Sequence, residues 1–349
     1  MMPKFEKVYL TALGYELGPV VVSSAELEER LAPVYGQLNL QPGQLEAWTG
    51  ISERRWWQPG FQLSAGAIAA GRKALRKAAV APADLGVLIY AGVCRENFEP
   101  ATACAVAEGL GVRGSAFVYD LSNACLGVLN GMIEVANRIE LGQIRAGLVV
   151  SCETAREINE LALERLLRGV DMDQFSCAIA TFTGGSGAVA VLLTDGSFPG
   201  TPGHRLLGAV SETAPEHHRL CRWGLEPASG GRQEQFMATD SVAVLKHGVQ
   251  LGARTFGSFL QHMGWQSAEL DRVVCHQVGS GHQEAILKTL QIPKDKDFVT
   301  YRFLGNMGTA ALPVTAAIAE ERGVLKAGQR TAFLGIGSGL TSLMVGLEW

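Results

Sequence analysis

The chain has 349 residues, about twice the usual domain of roughly 100–200 residues, so two structural units are expected. Apolar residues make up 47% and charged residues 18%, which excludes disorder. Its 30 basic and 34 acidic residues leave a net charge of −4 with no block of like charge, which argues against a nucleic-acid surface.

No apolar stretch reaches the roughly 18 uninterrupted residues of a membrane span, and MMPKFEKVYL lacks the plan of a signal peptide. The expected location is therefore cytoplasmic. Seven cysteines show no metal-binding spacing, so they read as reduced thiols and no metal is expected. Glycine, 42 of 349 residues, is in excess.

In chain order, short apolar runs bounded by Gly, Asp or Pro predict buried parallel strands at Val8–Leu13, Val87–Ala91, Phe117–Asp120, Gly147–Ser151 and Ala188–Leu193. A second series follows at Leu206–Val210, Arg272–His276, Phe298–Tyr301, Thr331–Leu334 and Ser342–Leu347. Helical periodicity marks Leu63–Ala79, Cys125–Leu141, Ser241–Met263, Gly281–Leu290 and Leu312–Arg322 between them. This alternation predicts an α/β fold. The strand spacing repeats once, with a Gly- and Pro-rich seam near 195–205, so one βα plan is used twice: an N-terminal half at 1–200 and a C-terminal half at 201–349. Residues 152–182 and 212–235 fall outside the repeat and are candidates for capping a pocket or for plain surface.

Cys125 follows a strand and an SNA turn and opens a helical pattern with apolar residues at 126, 128, 129, 132, 133 and 136. A thiol at a helix N-terminus feels the positive end of the dipole, which predicts a pKa below the ordinary value of about 8.5. The competing reading is a buried thiol on a core helix. His276, at the end of an apolar strand, and Asn306, in a Gly-bounded turn, are placed to converge on it. Cys, His and Asn together suit acyl transfer through a thioester. His282 ranks behind His276 as a pocket residue.

The segments SNACLG around Cys125, CHQVG around His276, LGNMGTAALP around Asn306, the late LGIGSGLTSLMVG and the early WTGISERR together resemble the thiolase superfamily, in its ketoacyl synthase III branch. The resemblance implies a duplicated, five-layered αβαβα fold, a homodimer, and acylation of Cys125 by a CoA or carrier-protein thioester. His276 and Asn306 would bind the thioester oxygen of the second substrate. The N–H groups of Cys125 and of the Gly337–Ser338–Gly339 turn would form an oxyanion hole. Arg54 and Arg55 are candidate contacts for CoA phosphates, or part of a solvated loop. No resident cofactor is implied, since coenzyme A belongs to the substrate.

Within GVCRENFEPATA, Glu99 stands 26 positions before the cysteine. This is similar to the long-chain acyl-CoA thiolases that begin bacterial olefin synthesis by head-to-head condensation. A malonyl thioester yields its carbanion by decarboxylation, whereas an ordinary acyl-CoA needs a base, and a Glu in an apolar tunnel can serve near neutral pH. Glu99, reaching the partner's active site across the dimer, is the expected base, with Glu96 as its competitor and a loop carboxylate without catalytic duty as the alternative.

Two departures weaken assignment to the fatty-acid-priming enzyme. Val278 and Gly279 replace the branch's usual Ala–Asn after His–Gln, and Met307 and Gly308 precede Thr309 in the Asn turn. The leading expectation is non-decarboxylative Claisen condensation of two fatty acyl-CoAs to a 2-alkyl-3-ketoacid, passed on to downstream enzymes. The alternatives are decarboxylative 3-oxoacyl-carrier-protein synthesis with a malonyl thioester, an acyltransferase or thioesterase on the same acyl-enzyme, and a non-catalytic homologue.

Overall fold

The computed structural model describes residues 3–200, 203–227 and 231–349. The strands in chain order are β1 (Tyr9–Leu17), β2 (Val20–Ser23), β3 (Glu53–Trp56), β4 (Val87–Ala91), β5 (Phe117–Leu121), β6 (Ala146–Glu153), β7 (Gly187–Thr194), β8 (His204–Thr213), β9 (Cys221–Pro227), β10 (Gln233–Thr239), β11 (Arg272–Cys275), β12 (Arg330–Gly337) and β13 (Thr341–Glu348).

Nine of them, among the described residues, line up as β11-β12-β13-β8-β1-β7-β6-β4-β5. The two ends of this order mirror each other about the β1–β8 contact, which is made only by Tyr9↔Arg205 and Leu10↔His204. In the first half, β5 and β6 flank β4 in parallel, while β7 runs antiparallel to both β6 and β1. The second half repeats this with β11 parallel to β12 and β13 antiparallel to β12 and β8. The repeat read from strand spacing is therefore present as topology. The expected boundary between 200 and 201 falls where residues 201–202 lie outside the described ones.

Two expectations need correction. The strands are not all parallel: β6 and β7 are buried along their whole lengths, and a strand covered on both faces reads as a continuous apolar run whatever its direction. Phe298–Tyr301 is not a strand. It runs into the short helix Tyr301–Leu304, and only a bridge from Asp297 to Val273 marks where a strand would have lain.

The layers follow from which side chains share a core. Helices Gly127–Glu140 and Ala311–Glu321 pack in the middle, with Leu129, Met132, Val314 and Ile318 in one cluster with Val149, Val191, Phe333 and Val345 from both half-sheets. Helices Leu63–Ala78 and Thr102–Leu110 cover the outer face of the first half through Ala67, Ala70, Val106 and Leu110. Ser241–Met263 and Ser280–Leu290 cover the second through Phe256, Phe259, Ile286 and Leu287. The result is the expected αβαβα stack. It places the C-terminal ends of β5 and β12, and the residues after β11, around one crevice. Among the described residues no helix is long and apolar enough to cross a membrane.

Candidate active site

Between β5 and helix Gly127–Glu140 the chain makes a sharp turn. Ala124 takes φ +45°, a left-handed conformation that costs a non-glycine residue about 1–3 kcal/mol. Cys125 sits next, in the 3₁₀ turn Ala124–Leu126, and so precedes the α-helix instead of opening it. The residue is half-buried, but its surroundings are dense protein: burial pushes the thiol up to about 12, with Cys221 and Glu153 adding to the rise and its own backbone N–H opposing it. The expected lowering by a helix dipole is overturned, because desolvation dominates. The resting thiol is protonated, and a base must take its proton.

Three turns around this thiol are joined by side chains. Thr309 Oγ1 accepts the Val128 N–H at 2.7 Å, tying the turn after Asn306 to the helix after Cys125. Gln277 Oε1 accepts the N–H groups of Thr300 and Tyr301 at 2.9 and 3.2 Å, so the residue beside His276 caps the short helix that leads to Asn306. Asn306 is held from both sides, donating its N–H to Thr183 O at 2.8 Å and accepting from Gly185 N at 2.9 Å. This crossing needs glycine at 185, where a Cβ would lie 1.9 Å from Leu304 O. Asn306 Oδ1 accepts the Gly308 N–H at 3.0 Å, which fixes the carboxamide and leaves donation to Nδ2.

His276 follows β11 and donates its backbone N–H to Leu334 O at 3.0 Å, prolonging the pairing with β12. Burial pushes the imidazole down to about 3, helped by His282, itself pushed down to about 4 by burial. Its Nδ1 is buried without a hydrogen-bond partner among the described residues. His276 and His282 line one small cavity with Gly335 and Ile336 of β12. On the same strand, Gly337 backs onto the nucleophile: a Cβ there would stand 3.5 Å from Cys125 N. His276 and Cys125 thus flank one end of β12, beside the Gly337–Ser338–Gly339 turn. That turn is anchored by paired backbone bonds between Ala214 and Leu340 at 2.8 and 3.1 Å.

The acidic loop divides differently. Glu96 Oε1 accepts the Ser64 N–H at 2.7 Å at the start of helix Leu63–Ala78, so this carboxylate is committed to capping. Glu99 is exposed, next to Phe98, which is 97% exposed. Within a single chain it is not gathered with Cys125, His276 and Asn306. Glu153 was not singled out in the sequence, yet it lies buried at the end of β6. Burial raises its carboxyl pKa, against the lowering by hydrogen bonds from Cys94, Val93 and Thr309. The available signal was an acidic residue closing a strand that is otherwise almost wholly apolar.

Arg54 is a correction. It is 0% exposed and donates to Val22 O and Ser24 Oγ, and burial pushes its guanidinium down to about 10. It braces β2 against β3 and cannot reach a phosphate in solvent. Arg55 is part-exposed and keeps that candidacy. In the segment 212–235, of which residues 228–230 lie outside the described ones, Cys221 of the β9–β10 ribbon comes near enough to act on the Cys125 thiol, which favours the capping reading for that ribbon.

The family described as 3-oxoacyl-[acyl-carrier-protein] synthase III, C terminal, matches residues 260–349. An acyl-CoA:acyl-CoA alkyltransferase of Shewanella oneidensis is 52% identical over 348 residues, covering 99% of this chain and 100% of that protein. A beta-ketoacyl-[acyl-carrier-protein] synthase III of Roseiflexus castenholzii is 28% identical, covering 97% of each. A variant of Xanthomonas campestris OleA solved with bound lauric acid and lauroyl-CoA superposes with a TM-score of 0.91 at 35% identity, covering 99% of this chain and 100% of that one. Other solved OleA chains are altered at a cysteine, a glutamate or a histidine.

Proposed function

The chain belongs to the acyl-CoA:acyl-CoA alkyltransferase family, and from this we propose that it joins two fatty acyl-CoAs head to head by a non-decarboxylative Claisen condensation. It is an acyltransferase of the thiolase and synthase III type. Cys125, protonated at rest, attacks the first thioester while its proton passes through the neutral His276 to the departing sulfur; an S–C bond forms at the cysteine, the thioester's own C–S bond breaks, and coenzyme A leaves as the free thiol. The N–H groups of Cys125 and of the Gly337–Ser338–Gly339 turn receive the oxyanion.

The second acyl-CoA then places its thioester oxygen against His276 and the Asn306 Nδ2. Glu99 of the partner subunit removes an α-proton, and the resulting enolate attacks the acyl-enzyme carbonyl. A carbon–carbon bond forms, the Cys125 sulfur departs and is reprotonated, and hydrolysis of the remaining thioester gives a 2-alkyl-3-ketoacid and coenzyme A. Arg55 is the proposed phosphate contact. No cofactor beyond the substrate's own coenzyme A is called for. The seven unpaired cysteines fit a reducing cytoplasm.

The homodimer rests on β5. It pairs with β4 on one side, and on the other carries an open edge with Phe117 56% exposed. A second copy on that edge would cover it and bring the exposed Glu99 loop to the neighbouring crevice. In OleA the altered glutamate precedes the altered cysteine by the same interval that separates Glu99 from Cys125 here. The observation that carries the reading is the full-length similarity to an alkyltransferase, joined to a thiol and an imidazole that flank one end of β12 and an oriented carboxamide whose turn is tied to the helix after Cys125.

Incubation with myristoyl-CoA alone is the test. Expected are free coenzyme A and a condensed ketoacid by mass spectrometry. A requirement for a malonyl thioester before any carbon–carbon bond forms would overturn the reading in favour of a decarboxylative synthase.

A further inference from the structure

Glu153 is a carboxylate where burial makes charge costly, and no Lys, Arg or His is paired with it among the described residues. Backbone amides satisfy it instead. Oε1 accepts the Val93 N–H at 3.0 Å, Oε2 accepts the Cys94 N–H at 3.2 Å, and the Thr309 N–H is a further donor. Its own main chain is fixed, because its carbonyl oxygen accepts the Trp57 indole N–H at 3.0 Å and it pairs with Gly187.

The donors come from two places with different duties. Val93 and Cys94 are the root of the loop that runs on to Glu96 and Glu99. Thr309 is in the turn after Asn306, and its hydroxyl holds the helix behind Cys125. Gly308, at φ +54°, presses on the carboxyl; a Cβ there would stand 3.3 Å from Glu153 Cδ. One side chain therefore joins the base-bearing loop to the nucleophile and carboxamide turns of the same subunit.

We propose that Glu153 is a positioning residue for the condensation step, fixing the root of the acidic loop so that Glu99 leaves its subunit at the geometry the neighbouring site requires. The inference rests on Glu99 being the base. Glu153 does not itself take the substrate proton, since its carboxylate oxygens are turned onto main-chain amides.

The test compares the wild-type enzyme, Glu153→Gln, Glu153→Asp and Glu99→Ala with myristoyl-CoA. Two readouts are followed: the burst of coenzyme A that reports acylation of Cys125, and steady-state condensed product. Glutamine keeps the size but offers one acceptor oxygen and an NH₂ that faces an amide donor. Expected for Glu153→Gln is a burst within about twofold of wild type and condensation slowed by up to about 10²-fold, the scale of a misplacement of about 1 Å. Glu153→Asp, which retains both acceptors, recovers part of the rate, and carries the test alone if the glutamine variant does not fold.

Normal condensation in the folded Glu153 variants, with Glu99→Ala inactive, overturns the inference and leaves Glu99 as the base. Loss of burst and condensation together in the aspartate variant also overturns it, since Glu153 would then be required for acylation itself and not for placing the acidic loop. Full condensation in Glu99→Ala removes the Glu99 reading first; if Glu153→Gln is then dead, Glu153 is the base and this inference falls with it.

Discussion

The Thr309 hydroxyl accepts the Val128 amide at 2.7 Å, so the turn that follows Asn306 caps the helix that follows Cys125. Two turns of the candidate site, far apart in sequence, are thereby set by one bond. Thr309→Val keeps the shape and strands a helix-start amide. It should lower stability by about 1–2 kcal/mol in urea unfolding and slow acylation of Cys125. An unchanged midpoint and burst rate would show that the bond is dispensable.

Arg54 and Arg55 are neighbours with opposite expected phenotypes. Arg54→Ala removes a buried, hydrogen-bonded side chain and should cost about 2–4 kcal/mol of stability, with the KM for acyl-CoA of the folded enzyme unchanged. Arg55→Ala should raise that KM several-fold and barely move the urea midpoint. A raised KM in a fully stable Arg54 variant would restore Arg54 as a substrate contact.

Burial makes two predictions about pH. With the Cys125 thiol at about 12, iodoacetamide should label the resting enzyme slowly, and the rate should climb about tenfold per pH unit from 7 to 10. A plateau near pH 8 would contradict it. With His276 at about 3, the imidazole is neutral from pH 5 upward, so acylation should show no limb centred near the ordinary histidine value of about 6.5. The stability sign follows from the same shift. His276 and His282 bind protons more readily unfolded than folded, so stability should fall as pH drops below about 6.5 towards 3.

The β5 edge is testable through Phe117. Phe117→Asp places charge on the open edge and should shift the protein to a monomer by light scattering. The coenzyme A burst should survive, because Cys125, His276 and Asn306 come from one chain, whereas condensation should be lost. A monomer that still condenses would separate Glu99 from catalysis across subunits.

Strand-end position and residue type coincide at Cys125 and His276 in the sequence and in the fold alike. Asn306 was read as following a strand, however. The segment FVTY has strand composition, but the Gln277 carboxamide caps its end and turns it into a helix. The thiol's charge state was misread because sequence shows a helix start but not how much protein surrounds it. Arg54 looked like surface in WTGISERR since alternation in a four-residue strand does not say which face is covered. Glu153 escaped notice because an acid at the end of an apolar run reads as a boundary with solvent; only the fold reveals that the boundary lies inside.

The mirrored strand order is incomplete at one end, where Asp297 bridges to Val273 and its carboxylate accepts the Cys275 N–H, so the outer side of β11 is partly occupied. Of the two end strands of the nine-stranded sheet, β5 is therefore the more open. Two open borders per molecule would let copies add on indefinitely as a fibre, whereas one can be satisfied only by its own rotated twin. On the proposed pairing through β5, the degenerate strand of the second half would act as a stop on growth, and an apolar sheet edge could be kept for assembly without inviting aggregation.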